Sequence, residues 1–223
     1  MKTVSNKHNE LGKYFAQHLS AMTSDISPKE IDRLWQDIVM RYGEPQRAYH
    51  TLNHIEQLLV QFENIKHVLS EPHIIALVLY YHDVIYDPTR SDNELKSAEL
   101  ATDALSPYLS PEQCRQIHAL IMMTANHQID TLVDSDKYND AAYLLDMDLS
   151  ILGAPWPAYK QYAKAIRQEY THVADDNYRD GRTAVLQGLL AHTKLYLTDH
   201  YYNQLESQAR DNIKHELTSL AAL

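Results

Sequence analysis

From Ser27 onward the apolar positions of this chain fall on a 3.6-residue period, and each such stripe predicts a helix. Ser27-Pro28-Lys29-Glu30 reads as a capping box with proline at the first helical position, followed by Ile31, Leu34, Trp35, Ile38 and Tyr42 on one face. Ile55, Leu58, Leu59, Phe62, Ile65 and Leu69 form a second stripe. Pro72 opens a third helix whose Ile74–Leu79 stretch is apolar all round, as in a helix buried at the middle of a fold. Ser91-Asp92-Asn93-Glu94 and Ser110-Pro111-Glu112-Gln113 read as two more capping boxes. Ala141, Leu144, Leu145, Asp148 and Leu152 share a face that Gly153 and Pro155 stop. Three further stripes follow: Tyr159/Tyr162/Ile166/Tyr170, Val185/Leu189/His192/Tyr196 and Leu205/Ala209/Ile213/Leu217/Leu220. No β alternation competes. The expectation is an all-α protein, one domain over residues 1–223 with about eight or nine helices.

Composition narrows the classes. The 223 residues suit one well-buried domain, and 5 Gly with 8 Pro leave few tight turns for a β fold. A formal charge of −10 argues against nucleic acid or an anionic membrane as partner, while a local cationic pocket stays open. One cysteine, Cys114, cannot form an internal disulfide, which fits a reducing compartment. The longest apolar run, Ile74 to Tyr81, is too short to span a bilayer, and the N-terminus lacks a signal-peptide core. A cytoplasmic protein is expected. The 16 Tyr against 2 Phe and 2 Trp suggest helices lining polar cavities or wet interfaces.

Three segments put polar ligands where periodicity demands core. In Ala48–Ile55, His50 and His54 are four residues apart, a spacing that brings two imidazoles to one side of a helix. Taken alone, they read better as a hydrogen-bonded structural pair. In Tyr80–Asp87, His82 and Asp83 end the most hydrophobic helix. Burying them costs several kcal/mol unless they are paired or coordinated, and the alternative is a solvated helix end. In Leu144–Gly153, Asp148 takes an interior position of an apolar stripe, whereas Asp146 is rotated away and reads as a supporting or surface carboxylate. Two His and two Asp on three helices are most economically explained by one metal site with open coordination positions.

The order His, His-Asp, Asp resembles the HD superfamily of metal-dependent phosphohydrolases, and more closely an uncharacterised bacterial branch of predicted HD hydrolases. The resemblance is carried by EPQRAYHTLNHI, YYHDVIYD, NELKSAELA, LLDMDLSILG, IRQEY, YRDGR and ARDNI, from about residue 44 to about 212. It implies an HD-type helical domain with His54, His82, Asp83 and Asp148 as metal ligands. The Tyr-His-x-x-x-His pattern of Tyr49–His54 is similar to that of cyclic-nucleotide phosphodiesterases, which gives His50 the role of proton donor to the leaving oxygen. The longer signature that follows the His-Asp pair in those enzymes is missing here. Of the extra histidines of two-metal members, His127 matches the later one, while Asn93 or Glu94 stands near the earlier. One divalent ion (Mn, Fe, Co, Ni, Zn or Mg) is expected.

The implied reaction is metal-assisted attack of water on a small phosphate ester, a nucleotide among the candidates, with His50 and Asp83 catalytic. Negative charge on phosphoryl oxygens calls for cations nearby. Lys96, Arg182, Arg47 and Arg167 are the candidates, with Glu94 and His127 as further substrate-side residues. Each has a plain alternative: Lys96 and Arg47 solvated, Arg167 and Arg182 in salt bridges, Glu94 in its cap. Two rival classes are a di-iron oxygenase on the same scaffold and a non-catalytic module binding a nucleotide or phosphorylated ligand. A homodimer is open.

Overall fold

The computed structural model describes residues 2–129 and 135–222. Among them are ten α-helices and no strand: α1 (Lys2–Met22), α2 (Pro28–Tyr42), α3 (Leu52–Ile65), α4 (Pro72–Tyr81), α5 (Asn93–Leu105), α6 (Pro111–Thr124), α7 (Ser135–Leu149), α8 (Trp156–Glu169), α9 (Asp175–Ala191) and α10 (Asp199–Ala221). The all-α class is as expected, with α1 added to the helices read from the stripes. None of these helices is long and apolar enough to cross a membrane. The chain divides into two compact units, Met1–Leu144 and Leu145–Leu223, the division falling inside α7.

The first unit is organised around α4, which packs against α1, α3, α5 and α6. Its apolar run explains this: Ile74 to Tyr81 are all buried, so the helix has no polar face to give to water. Pro72 starts α4, and the two amides ahead of it are capped from a distance, Ser70 N–H and Glu71 N–H each donating to the Asp140 carboxylate at 2.8 Å. Tyr80 keeps its hydroxyl satisfied by donating to the Leu11 carbonyl on α1. α1 lies close on α2 because Gly12 faces the Trp35 indole, where a Cβ would come within 2.6 Å of Nε1. The capping boxes at Ser27/Glu30 and Ser110/Gln113 both form, with the paired backbone and side-chain bonds the motif requires. The box read at Ser91/Glu94 does not. α5 starts at Asn93, Asp92 is drawn to Arg90, and the Asn93 amide bonds the Asp87 backbone in both directions.

The second unit is built of the end of α7, a 3-10 turn at Ser150–Gly153, and α8 to α10. α10 packs on that turn because Gly153 has no side chain; a Cβ there would meet Leu205 Cβ at 2.6 Å. Asn212 of α10 donates to the Leu152 and Ala154 carbonyls. The stripe read through Val185, Leu189, His192 and Tyr196 breaks, since α9 ends at Ala191 and Val185 is 55% exposed. His192 is the extended cap, and Tyr196 lies buried in the connection with its hydroxyl donating to the Leu149 carbonyl.

Candidate metal centre

His54, His82, Asp83 and His50 come together in the first unit, and each arrives for a local reason. α3 starts after Thr51, whose hydroxyl accepts from Asn53 N–H. His54 lies one turn into that helix, on the buried face with Ile55 and Leu58. His50 precedes the cap, so the two histidines do not share a helix as their spacing suggested. The bend nonetheless brings the His50 ring within 6.0 Å of the His54 ring. α4 delivers the other pair. His82 caps its C-terminus, with its N–H donating to the Val78 carbonyl at 2.8 Å, and Asp83 follows in the turn.

The geometry sets two sealed imidazoles beside a more open acid and imidazole. His54 and His82 side chains are each 2% exposed, against 16% for Asp83 and 19% for His50. His82 Nδ1 is 3.0 Å from the Leu79 carbonyl, which can only accept. A proton on Nδ1 satisfies that carbonyl, and Nε2 lies on the other side of the ring. There it meets His54 Nε2 at 3.3 Å and Asp83 Oδ2 at 3.0 Å. Asp83 Oδ2 is also 3.9 Å from His54 Nε2 and from His50 Nε2. His54 and His82 are among the described residues that could hold a metal ion. Asp148 is half-buried on the last turn of α7.

Two tyrosines to which the sequence reading gave no role pack against this cluster. The Tyr86 ring lies 4.2 Å from the His50 ring at 30°, and Tyr49 stands 5.0 Å from His50 and 4.9 Å from His54. Tyr86 was visible in the YYHDVIYD segment, but nothing in its spacing announced a contact with a histidine 36 residues earlier. The loop behind it is held by Ser97, whose hydroxyl accepts from Ile85 N–H at 3.0 Å.

The predicted substrate-side residues scatter. Arg47 is not solvated: its side chain is sealed, donating to the His50, Asp83 and Val84 carbonyls, with Glu44 at 3.3 Å. It clamps the His50 bend to the Asp83 turn and has little left for a substrate. Arg182 is buried in the second unit, where it donates to both oxygens of Glu216 at 2.8 and 3.1 Å. Arg167 pairs with Asp175 and donates to the Tyr170 and Val173 carbonyls. Lys96 is half-buried and bonded to Glu99, on a surface groove of about 1020 Å³ that Tyr86 also lines. Glu94 is half-buried in the first turn of α5. His127 lies past the end of α6 in the left-handed region at φ 53°, so the Leu120–Thr124 stripe does not reach it. Asp146 is buried and not on the surface. It accepts from Leu197 N–H, Thr198 N–H and the Thr198 hydroxyl at 2.6 to 2.8 Å, while burial pushes its carboxyl above the ordinary range against those bonds.

Comparison of the chain with protein-family models, curated proteins and solved structures gives no match. The functional reading therefore stands on the residues and their geometry.

Proposed function

We propose that this chain is a metal-dependent phosphohydrolase of HD type acting on a small phosphate ester such as a nucleotide. The observation that carries the reading is the convergence of His54 Nε2, His82 Nε2 and Asp83 Oδ2, with His50 on the open side. Two imidazole nitrogens and a carboxylate oxygen are an ordinary donor set for a divalent transition metal. Donors each about 2.05 Å from one tetrahedral ion stand about 3.3 Å apart. The separations here, 3.0, 3.3 and 3.9 Å, bracket that edge. The Leu79 carbonyl gives His82 the outer-shell hydrogen bond that orients a ligating imidazole. In this reading Asp148 supplies the remaining protein ligand, on the strength of the sequence resemblance.

When bound, the ion would acidify a water, from a pKa of 15.7 to as low as about 7, and polarise a phosphoryl oxygen. Asp83 orients the attacking water from the open edge of the cluster. His50 gives its proton to the departing alkoxide oxygen, an imidazole being suited to proton transfer near neutral pH. Tyr86 holds the His50 ring and continues into the groove that carries Lys96, which gives a substrate longer than bare phosphate a surface to lie on.

A screen of phosphomonoesters and phosphodiesters with added manganese, cobalt or nickel tests the reaction. Inorganic phosphate or a monoester should be released, and the activity should vanish in His82→Ala. Oxygen consumption with an alcohol or phosphonate, and no ester cleaved, would replace this reading with the oxygenase. Ligand binding without turnover would replace it with the binding module.

A further inference from the structure

The second unit contains a cavity of its own, about 640 Å³, walled by α8, α9 and α10, within the range of small-molecule sites. Its lining is mixed in a particular way. Trp156, Ala163, Tyr178 and Leu220 give it apolar wall. The Trp156 indole already lies in an aromatic stack, 3.9 Å from the His215 ring at 11° and 5.6 Å from Tyr159 at 20°.

The charges around this wall favour an anion. Four cations line the cavity (Lys160, Lys164, Arg167, Arg179) against three carboxylates (Asp175, Asp176, Glu216), in a chain whose formal charge is −10. The carboxylates are not equivalent. Glu216 is buried and spent, holding Arg182 through two bonds and accepting from the Tyr159 hydroxyl at 2.5 Å. Asp175 and Asp176 pair with Arg167 and Arg179, but their side chains are 86% and 84% exposed. Such open pairs are worth at most about 1 kcal/mol, so an incoming anion can take over the arginines. Lys160 and Lys164 stand one turn apart on α8, and neither makes an ion pair among the described residues. By contrast, the groove of the first unit holds five carboxylates against four cations, and its Arg41, Arg90 and Lys96 are each paired.

We propose that the α8–α9–α10 cavity is a binding site for a small aromatic anion, its flat body against Trp156 and its anionic group on Lys160 and Lys164. The site does not depend on the metal reading, since no residue of that cluster lines it.

Trp156 makes the test local, because only two tryptophans are present. Adenosine monophosphate is titrated into the full chain while tryptophan emission is followed, in wild type and in His82→Ala, where hydrolysis at the other site is removed. Saturable quenching is expected in both, with adenosine and inorganic phosphate each at least tenfold weaker. Trp156→Phe should abolish the signal, and the double substitution Lys160→Gln with Lys164→Gln should raise the dissociation constant at least tenfold. Both lysines are exposed, so their loss leaves the fold intact. Absence of saturable quenching, an unchanged constant in the double variant, or loss of binding in His82→Ala would each overturn the proposal.

Discussion

Glu216 in the second unit and Asp83 in the first are carboxylates largely withdrawn from water, and the chain surrounds them differently. Around Glu216 stand donors: the Arg182 guanidinium at 2.8 and 3.1 Å and the Tyr159 hydroxyl. Glu206 is treated the same way, by Arg210 and the Leu195 and Tyr196 amides, and Asp146 by the Leu197–Thr198 segment. Around Asp83 stand imidazole nitrogens, those of His82, His54 and His50 at 3.0, 3.9 and 3.9 Å. A buried acid matched by donors is complete as it is and serves the fold. Imidazoles gathered on a carboxylate are an ordinary donor set for a divalent cation, which makes this cluster the place to look for chemistry.

That contrast can be broken at either end. The largest effect expected from a single catalytic side chain is at His50, where His50→Ala should keep the metal and lose about a hundredfold to ten-thousandfold in turnover. The loss should shrink on a nitrophenyl phosphate, whose leaving group needs no proton. Equal losses on an alkyl and a nitrophenyl ester would make His50 a positioning residue. At the other end, Arg182→Ala strands Glu216 and should cost about 3 to 5 kcal/mol in urea unfolding, with the metal content of the folded protein unchanged. A loss below about 1 kcal/mol would show that Glu216 does not need its partner.

These two residues also mark what could be read in advance. The stripes and capping boxes are local, and α2, α3, α4 and α6 lie where Ser27, Leu58, Pro72 and Ser110 put them. α1 went unassigned because Leu11, Phe15 and Leu19 sit in a polar stretch with no cap signal, and their burial depends on helices that come later. His54, His82 and Asp83 were legible because polar residues interrupted apolar runs. Arg47, Arg182 and Asp146 were not, since each depends on a partner far along the chain, 36, 34 and 51 residues away. Helical angle alone left Asp146 as a supporting or a surface carboxylate, while a later segment supplied its donors. The division inside α7 carries no Gly or Pro to announce it.

A smaller effect should appear with pH. Burial, reinforced by His73, lowers the His18 imidazole from the ordinary 6.5 to about 4, against a raising influence from Glu63. The unfolded chain then takes up a proton near pH 6.5 that the folded chain refuses until about pH 4. Stability from this residue is full above pH 6.5 and falls as pH drops toward 4. The urea midpoint of wild type should therefore decline more steeply across that window than that of His18→Gln. Parallel declines would remove His18 as the cause.

The central claim is that His54 and His82 are metal ligands and not a structural pair. Elemental analysis of purified wild type, His54→Ala, His82→Ala and Arg182→Ala tests it most directly. Close to one transition-metal ion per chain is expected in wild type and in folded Arg182→Ala, and none in either histidine variant. Full metal retention in His54→Ala and His82→Ala would contradict the account.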